Sequence, residues 1–235
     1  MVLYLTENAR PRVLYTQHKA GAEYVRQVEN YVNGPYILDP FYQASVKGIP
    51  AGAYRLSKIA PDNFKKTEYF RHFYRDINFN DEVSFIQDLP GNEYLHFSLC
   101  YRHRLPAQNM HFFRAVSPVT NALIRKHWDI VSSVQSADPS LKLHQTLKHS
   151  LQRFGSSVLT GREQTVLQLV LHGHSNKSAA EKLGITLATV KLHRKHIYKK
   201  LDIRSQAELF YLFIDSLSSS SSSGNDDPLK AYMNL

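Results

Sequence analysis

Three lysines near the end of the chain, Lys191, Lys195 and Lys199, recur at intervals of four residues. At about 3.6 residues per turn, an α-helix would carry all three on one side. The surrounding residues 187–201 include five lysines or arginines and no acidic residue. A helix face of this kind presents cations to phosphate groups, and Leu192 within it offers an apolar surface that can touch a thymine methyl group.

The opposite side of the same stretch is apolar. Val190, Ile197 and Leu201 fall within a narrow arc at about 100° per residue. This arrangement predicts a helix that buries one side against its own domain and keeps the lysines outside. A lysine-rich face is by itself usually a solvated surface, so the elements that position the helix decide whether the face binds nucleic acid.

Those elements are predicted to be short helices with well-defined ends. Thr160 and Glu163 have the spacing of a capping box, in which each side chain satisfies an amide at the start of a helix. Further signals are hydroxyl residues suited to begin helices and glycines suited to end them: Ser175, Thr186 and Ser205, and Gly173 and Gly184. Two short helices joined by residues 183–186 have the spacing of a helix-turn-helix.

Together these residues resemble the LuxR/FixJ-type (GerE-like) DNA-binding domain, a four-helix unit. The resemblance spans residues 159–215, about a quarter of the chain, and rests on Leu159-Thr160-Gly161-Arg162-Glu163, Gly173, Ser175-Asn176-Lys177, Thr189-Val190-Lys191, His193 and Lys200-Leu201. It implies a homodimer that reads a two-fold-related site in double-stranded DNA. Dimerisation would be aided by the fourth helix, residues 205–216, with RNA polymerase as a further candidate partner.

The resemblance also implies roles for individual residues. Lys191, Leu192 and Lys195 match the positions that face the bases. The remaining candidate DNA contacts, mainly to phosphates, are Thr186, Thr189, Lys177, Arg194 and Lys199. One departure is Ser178-Ala179, where the family usually has Glu-Ile, so the second helix is expected to pack a smaller residue.

Residues 1–134 differ from this helical region in their many aromatic residues and their apolar–polar alternation. The alternation predicts a strand over residues 94–101, with Leu95, Phe97, Leu99 and Tyr101 on one face. A helix is expected from about Met110 to Ser132, with Phe113, Val116, Ala122, Leu123 and Val131 facing inward.

We therefore predict two domains. Residues 1–134 form an α/β domain with an antiparallel sheet and helices, similar to GAF or PAS folds, and residues 157–217 form an all-α, four-helix helix-turn-helix domain. A linker at residues 135–156 joins them, and a flexible serine-rich tail, residues 218–235, follows.

Aromatic residues precede an aspartate between Pro61 and Val83, in a pattern that somewhat resembles the autoinducer-binding domains of LuxR proteins. The family has Asp-Pro where this chain has Asp81-Glu82, so an acyl-homoserine lactone is not inferred. Tyrosine combines an apolar body with one polar end, and the candidates for an effector pocket are therefore Tyr42, Tyr54, Tyr69, Tyr74 and Tyr94. The same tyrosines are equally compatible with a plain core.

Other chemistry is less well supported by the sequence. His96 and Cys100 would lie roughly 13 Å apart along a strand, and nearby His103 would point the other way, so with His111 they do not predict a metal site. The first 60 residues lack the adjacent acidic residues of a phosphoacceptor receiver. Neither a cofactor nor a nucleophile–base pair is indicated, which argues against an enzyme.

The composition agrees with a nucleic-acid partner. The formal net charge is +9 and the pI is about 9.5, which favours acidic partners. A single cysteine fits a reducing cytosol, and no secretory signal or membrane segment is predicted. The leading hypothesis is a cytoplasmic, dimeric, DNA-binding transcription regulator that responds to a small molecule in its N-terminal domain. The alternatives are a constitutive regulator whose N-terminal domain serves dimerisation or protein interaction, and an enzyme tethered to DNA.

Overall fold

The structure is a computed structural model that describes residues 1–6, 9–16, 22–132, 149–219 and 227–233 of the chain. The chain divides into two compact units. The first unit comprises Met1–Ala60 and Phe73–His144, and the second comprises Pro61–His72 and Gln145–Leu235. The two predicted domains are therefore confirmed as fold classes, but the division between them differs from the expected one.

The first unit is built on a five-stranded antiparallel sheet with the strand order β2-β1-β5-β4-β3. Its strands are β1 (Val2–Thr6), β2 (Ala9–Tyr15), β3 (Gly52–Arg55), β4 (Asp81–Leu89) and β5 (Glu93–Tyr101). Strand β5 confirms the predicted alternation, since Phe97, Leu99 and Tyr101 pack on one side against the core that includes Phe113. His96 and Ser98, on the other side of β5, are also buried. Both faces of the sheet are therefore covered.

Four helices of the first unit cover this sheet: α1 (Ala22–Val32), α2 (Pro40–Val46), α3 (Leu56–Ile59) and α5 (Asn109–Ser132). Helix α5 agrees closely with the predicted Met110–Ser132, and its residues Phe113 and Val116 face the core as expected. The expected inward positions of Ala122 and Leu123 are wrong, because both are exposed. The side chain of Val131 lies outside the described residues. Helix α5 carries two apolar stripes, and only one of them packs on the sheet.

A buried ion pair joins strands β3 and β4 at the edge of this sheet. The guanidinium of Arg55, at the end of β3, donates to both carboxylate oxygens of Asp81, at the start of β4. Asp81 also accepts hydrogen bonds from the amides of Leu105 (3.0 Å) and Glu82 (3.1 Å). Four donors thus satisfy one buried carboxylate, which is the condition for keeping a charge inside a protein.

The second unit is helical in its described residues. Its helices are α4 (Glu68–Phe70), α6 (Gly161–Leu171), α7 (Asn176–Leu183), α8 (Leu187–Lys200), α9 (Gln206–Ser219) and α10 (Pro228–Met233). We call its residues 149–219 and 227–233 the C-terminal module. The predicted four-helix unit corresponds to α6–α9. Its core includes Phe154, whose ring packs edge-to-face against that of Phe213, with the ring centroids 5.3 Å apart.

The C-terminal module extends beyond the expected limits at both ends. Leu151 and Phe154, predicted to lie in the linker, are buried; residues 135–148 of that linker lie outside the described residues. The prediction of a flexible tail from residue 218 is wrong for residues 218–219, which belong to α9, and for residues 227–233; residues 220–226 and 234–235 lie outside the described residues. Asp227 accepts hydrogen bonds from the amides of Gly155 (2.9 Å) and Ser157 (2.8 Å), and α10 follows with Leu229 fully buried.

Candidate nucleic-acid interface

Helix α6 starts at the predicted capping box. The amide of Thr160 donates to Glu163 Oε2 at 2.8 Å, and the amide of Glu163 donates back to Thr160 Oγ1 at 3.4 Å. The same carboxylate accepts a hydrogen bond from Lys200 Nζ at 2.7 Å, near the end of α8. Burial acts to raise the pKa of Glu163, but the hydrogen bonds from Lys200 and Thr160 outweigh it and lower that pKa to about 2. The box therefore also fixes the far end of α8.

Helix α7 and the turn after it form the first half of the helix-turn-helix. Ser175 caps α7 by accepting a hydrogen bond from the amide of Ser178 at 3.1 Å. Gly184 ends the helix with φ +64°, a left-handed conformation that a side chain would strain. Ala179, the smaller residue expected at the family's isoleucine position, is fully buried, so the helix packs closely there.

Helix α8 has the two faces that the sequence predicts. Thr186 begins it by accepting from the amide of Thr189 at 3.1 Å. The apolar arc of Val190, Ile197 and Leu201 is buried. The opposite face is exposed: Lys191, Lys195 and Lys199 are open to solvent, and Leu192 among them is 51% exposed.

The other candidate DNA contacts differ in their exposure and in their hydrogen bonds. Lys177 and Thr186 are exposed, and Thr189 is half-buried with its hydroxyl 2.8 Å from that of Thr186. Arg194 is held within the C-terminal module. Its guanidinium donates to Asn176 Oδ1 at 2.8 Å and to the Tyr198 hydroxyl at 2.6 Å.

Arg194 therefore joins the start of α7 to the middle of α8. Sequence reasoning missed Asn176 as its partner, because nothing local links two residues on different helices. The pair fixes the angle between the two helices of the helix-turn-helix. It also holds the first turn of α7 against Arg194, the residue before Lys195 of the basic face.

Helix α9 begins at the expected capping residues. The amide of Glu208 donates to Ser205 Oγ at 3.1 Å, and the carboxylate of Glu208 accepts from the Ser205 hydroxyl at 3.0 Å. The predicted fourth helix is confirmed.

Comparison with known proteins agrees with this geometry. The family model "Bacterial regulatory proteins, luxR family" matches residues 157–213. A protein of Aeromonas salmonicida described as an HTH-type transcriptional regulator in the exeN 3′ region is 33% identical over 188 residues, which cover 76% of this chain and 94% of the relative. The chain belongs to the LuxR family of bacterial regulatory proteins. It is thus a member of a family of transcription regulators and not of enzymes.

Two further relatives of this LuxR-family chain match smaller parts of it. The transcriptional regulatory protein MctR of Rhizobium johnstonii is 49% identical over 61 residues, 26% of this chain and 28% of MctR. The crystal structure of the VqsR LBD domain from Pseudomonas aeruginosa covers 53% of this chain and 73% of its own, with 27% identity and a TM-score of 0.48.

The five candidate pocket tyrosines of this LuxR-family chain do not all lie in one place. Tyr42, Tyr74 and Tyr94 are buried in the first unit, and Tyr69 is buried in the second, with its ring 5.7 Å from that of Phe64. Tyr54 is half-buried, and its hydroxyl donates to the carbonyl of Pro50 at 2.8 Å.

Two buried acids in the first unit were missed by sequence reasoning. Asp39 caps α2 and accepts a hydrogen bond from the Tyr31 hydroxyl at 3.0 Å, and Glu82 accepts one from Tyr74 at 2.7 Å. Burial, with the nearby charge of Asp39, raises the pKa of Glu82 to about 7. The sequence Asp39-Pro40 is a helix-start signal that could have located the first of them.

Of the residues considered for a metal site, His96 and Cys100 lie on β5 within the sheet, whereas His103 and His111 are exposed. His96 lies 2.7 Å from the Ser45 hydroxyl, and burial lowers its pKa to about 3. Burial also raises the pKa of the Cys100 thiol. Across the described ranges, no three His, Cys, Asp or Glu side chains converge as a metal ion would require. Nor is any helix in those ranges long and apolar enough to cross a membrane.

Proposed function

We propose that this LuxR-family regulator binds specific double-stranded DNA as a homodimer and responds to a small molecule held in its first unit. The observation that carries the proposal is the exposed face of α8. It presents Lys191, Leu192, Lys195 and Lys199 outward on a helix whose other face is buried in the C-terminal module. A rigid helix with a basic outer face is suited to the major groove.

In this proposal the candidate contacts divide by chemistry. Lys191, Leu192 and Lys195 face base edges. Phosphates are contacted by the residues around them: Thr186, Thr189, Lys177, Arg194 and Lys199. The test is the binding of a labelled DNA duplex as salt is varied, because phosphate contacts release counterions and give a steep negative slope of log affinity against log salt. A flat slope would contradict the proposal.

The homodimer is supported by the apolar stripe of α5 that does not pack on the sheet. Phe112, Val119 and Leu123 are spaced by seven and four residues, and each is about two-thirds exposed. Apolar side chains at this spacing form one seam along a helix and match the same seam on a second copy. An exposed apolar seam of this length is uncommon on a protein that works as a monomer.

Replacing Val119 and Leu123 together with aspartate is expected to shift the protein from dimer to monomer. Two carboxylates in the seam would have to be desolvated on association, with like charges facing each other across the two-fold axis. Sedimentation velocity over a concentration series measures the change. The matched control replaces Ser57 and Ala51, also exposed in the first unit, with aspartate. A wild-type chain that sediments as a monomer at all concentrations, or an unchanged dimer in the variant, would count against this interface.

The effector site is proposed among the buried aromatic residues of the first unit. Tyr31, Tyr36 and Tyr42 form a chain of ring contacts, with centroids 6.3 Å and 5.2 Å apart, and Tyr74 lies among the buried side chains of the same unit. Such rings supply the apolar walls of a small-molecule site, and buried Glu82 and Asp39 supply polar groups that orient a ligand.

Native mass spectrometry of the protein purified from its source bacterium is expected to show a mass per protomer above that of the chain alone. Denaturing spectra of the same sample supply the control, since a non-covalent ligand is lost there. Identical masses per protomer in both spectra, together with full DNA binding, would instead favour a constitutive regulator whose first unit serves dimerisation.

A further inference from the structure

A segment from the first half of the sequence belongs to the second unit. Residues Pro61–His72, which we call the clasp, contact the C-terminal module at three places. The first contact is made by Asp62. Its Oδ1 accepts a hydrogen bond from the amide of Ser175 at 3.1 Å, and its Oδ2 accepts one from the Ser175 hydroxyl at 2.5 Å.

The second contact is a close approach of two backbones. The amide of Asn63 donates to the carbonyl of Gly173 at 3.1 Å. A Cβ at Gly173 would lie only 3.0 Å from Phe64 Cα and from Thr67 Cγ2, and the glycine also has φ +89°. The site at residues 173–175 is therefore shaped to admit the clasp.

The third contact involves helix α9. The Tyr211 hydroxyl accepts from Arg71 Nη2 at 2.7 Å and lies 2.8 Å from His72 Nε2 and 3.5 Å from Glu68 Oε2. The His72 ring also stacks on Phe210, with centroids 6.1 Å apart. Three clasp side chains thus meet at one hydroxyl of the C-terminal module.

The position of Asp62 gives these contacts a functional meaning. Ser175 caps α7, so the carboxylate lies at the positive end of that helix. The next residue, Asn176, accepts a hydrogen bond from Arg194 of α8 at 2.8 Å. The carboxylate therefore occupies an anion-binding position at the start of α7, with two donors directed at it and with the next residue bound to Arg194 of α8.

The charge of Asp62 is stable at this position. Partial burial acts to raise the pKa of its carboxyl, but the two hydrogen bonds from Ser175 and the nearby His174 lower it below the usual value. A carboxylate with two donors resembles a DNA phosphate in charge and in hydrogen bonding.

We propose that the clasp is an autoinhibitory contact: Asp62 occupies a phosphate position on the C-terminal module, and DNA binding requires the clasp to undock. The proposal rests on the DNA-binding function proposed above and adds its regulation. The clasp is joined to the first unit at both ends, at Ala60 and at Phe73. A change in that unit can therefore alter the docking equilibrium through the chain itself.

The experiment uses the full chain with Asp62→Ala and Tyr211→Phe combined, which removes the hydrogen bonds at two of the three contacts. Hydrogen–deuterium exchange of the Ser175 amide, which donates to Asp62, and of the Asn63 amide, which donates to Gly173, should speed up as the clasp undocks. Affinity for a labelled mixed-sequence duplex of about three helical turns should rise roughly threefold to tenfold at low salt. Non-specific DNA suffices as the probe because the competition is for a phosphate.

The matched control is Glu181→Ala, which removes one exposed carboxylate from α7 without touching the clasp. An equal rise in affinity for this control would show that net charge alone is responsible, and would overturn the proposal. Faster exchange with unchanged or weaker DNA affinity would also overturn it, since the clasp would then be only structural. If neither the wild type nor the variant binds the duplex, the DNA-binding proposal fails instead, and the exchange data still report whether the clasp docks.

Discussion

Replacing Lys191 and Lys195 together with alanine is expected to weaken DNA binding about 100-fold, since each exposed lysine on α8 contributes a contact of roughly 1–1.5 kcal/mol. Both side chains point away from the buried arc of α8, so their loss leaves the packing of the helix intact. The slope of log affinity against log salt should become shallower by less than two, because these lysines face base edges and the phosphate contacts of Lys177, Arg194 and Lys199 remain. Fluorescence anisotropy with a labelled duplex measures both quantities.

The control for this variant removes the same charge elsewhere. Lys47 and Lys230 are exposed, one in the first unit and one on α10, and their replacement with alanine should change affinity by a much smaller factor. Circular dichroism should show equal helix content in both variants. DNA binding that survives in the α8 variant would refute the assignment of this face.

The largest loss of stability is expected for Asp81→Ala. The substitution leaves Arg55 buried without its counter-ion and leaves the amides of Leu105 and Glu82 without an acceptor. Breaking a buried ion pair in this way costs about 3–5 kcal/mol. Urea unfolding followed by the fluorescence of Trp128, the single tryptophan, reports on the first unit, because that residue lies on α5.

A second variant distinguishes the effect of breaking the ion pair from the effect of losing side-chain packing. Arg55→Met combined with Asp81→Ala removes both charges, so it should be more stable than Asp81→Ala alone even though it carries more substitutions. A double variant that is less stable than the single one would mean that the two charges are not energetically coupled, and the interpretation of the buried pair would be wrong.

The helical part of the fold could be predicted from the sequence because its signals are local. The capping box of Thr160 and Glu163 and the helix end at Gly184 depend on residues within one or two turns of each other. The two faces of α8 follow from helical periodicity alone. Strand β5 was predicted for the same reason, since alternation between faces is visible in one short stretch.

Contacts between distant residues could not be predicted in this way. Asp62 and Ser175 are separated by 113 residues, and no local sequence pattern around either residue indicates that the two are in contact. Periodicity also failed to choose between the two apolar stripes of α5. It correctly assigned Phe113 to the core but misplaced Leu123, because only the position of the sheet decides which stripe is covered.

The acceptor role of Asp227 bears on how far the DNA-binding part of this protein can be transplanted. Hybrids between relatives are naturally cut at the limits of the shared family model, here residues 157–213. Such a cut would exclude Asp227, which accepts hydrogen bonds from the amides of Gly155 and Ser157 at the start of the module. It would also exclude Asp62, which accepts from Ser175. The unit of exchange is therefore discontinuous in sequence, and a chimera that respects it must carry two separate stretches of this chain, Pro61–His72 and Gln145–Leu235.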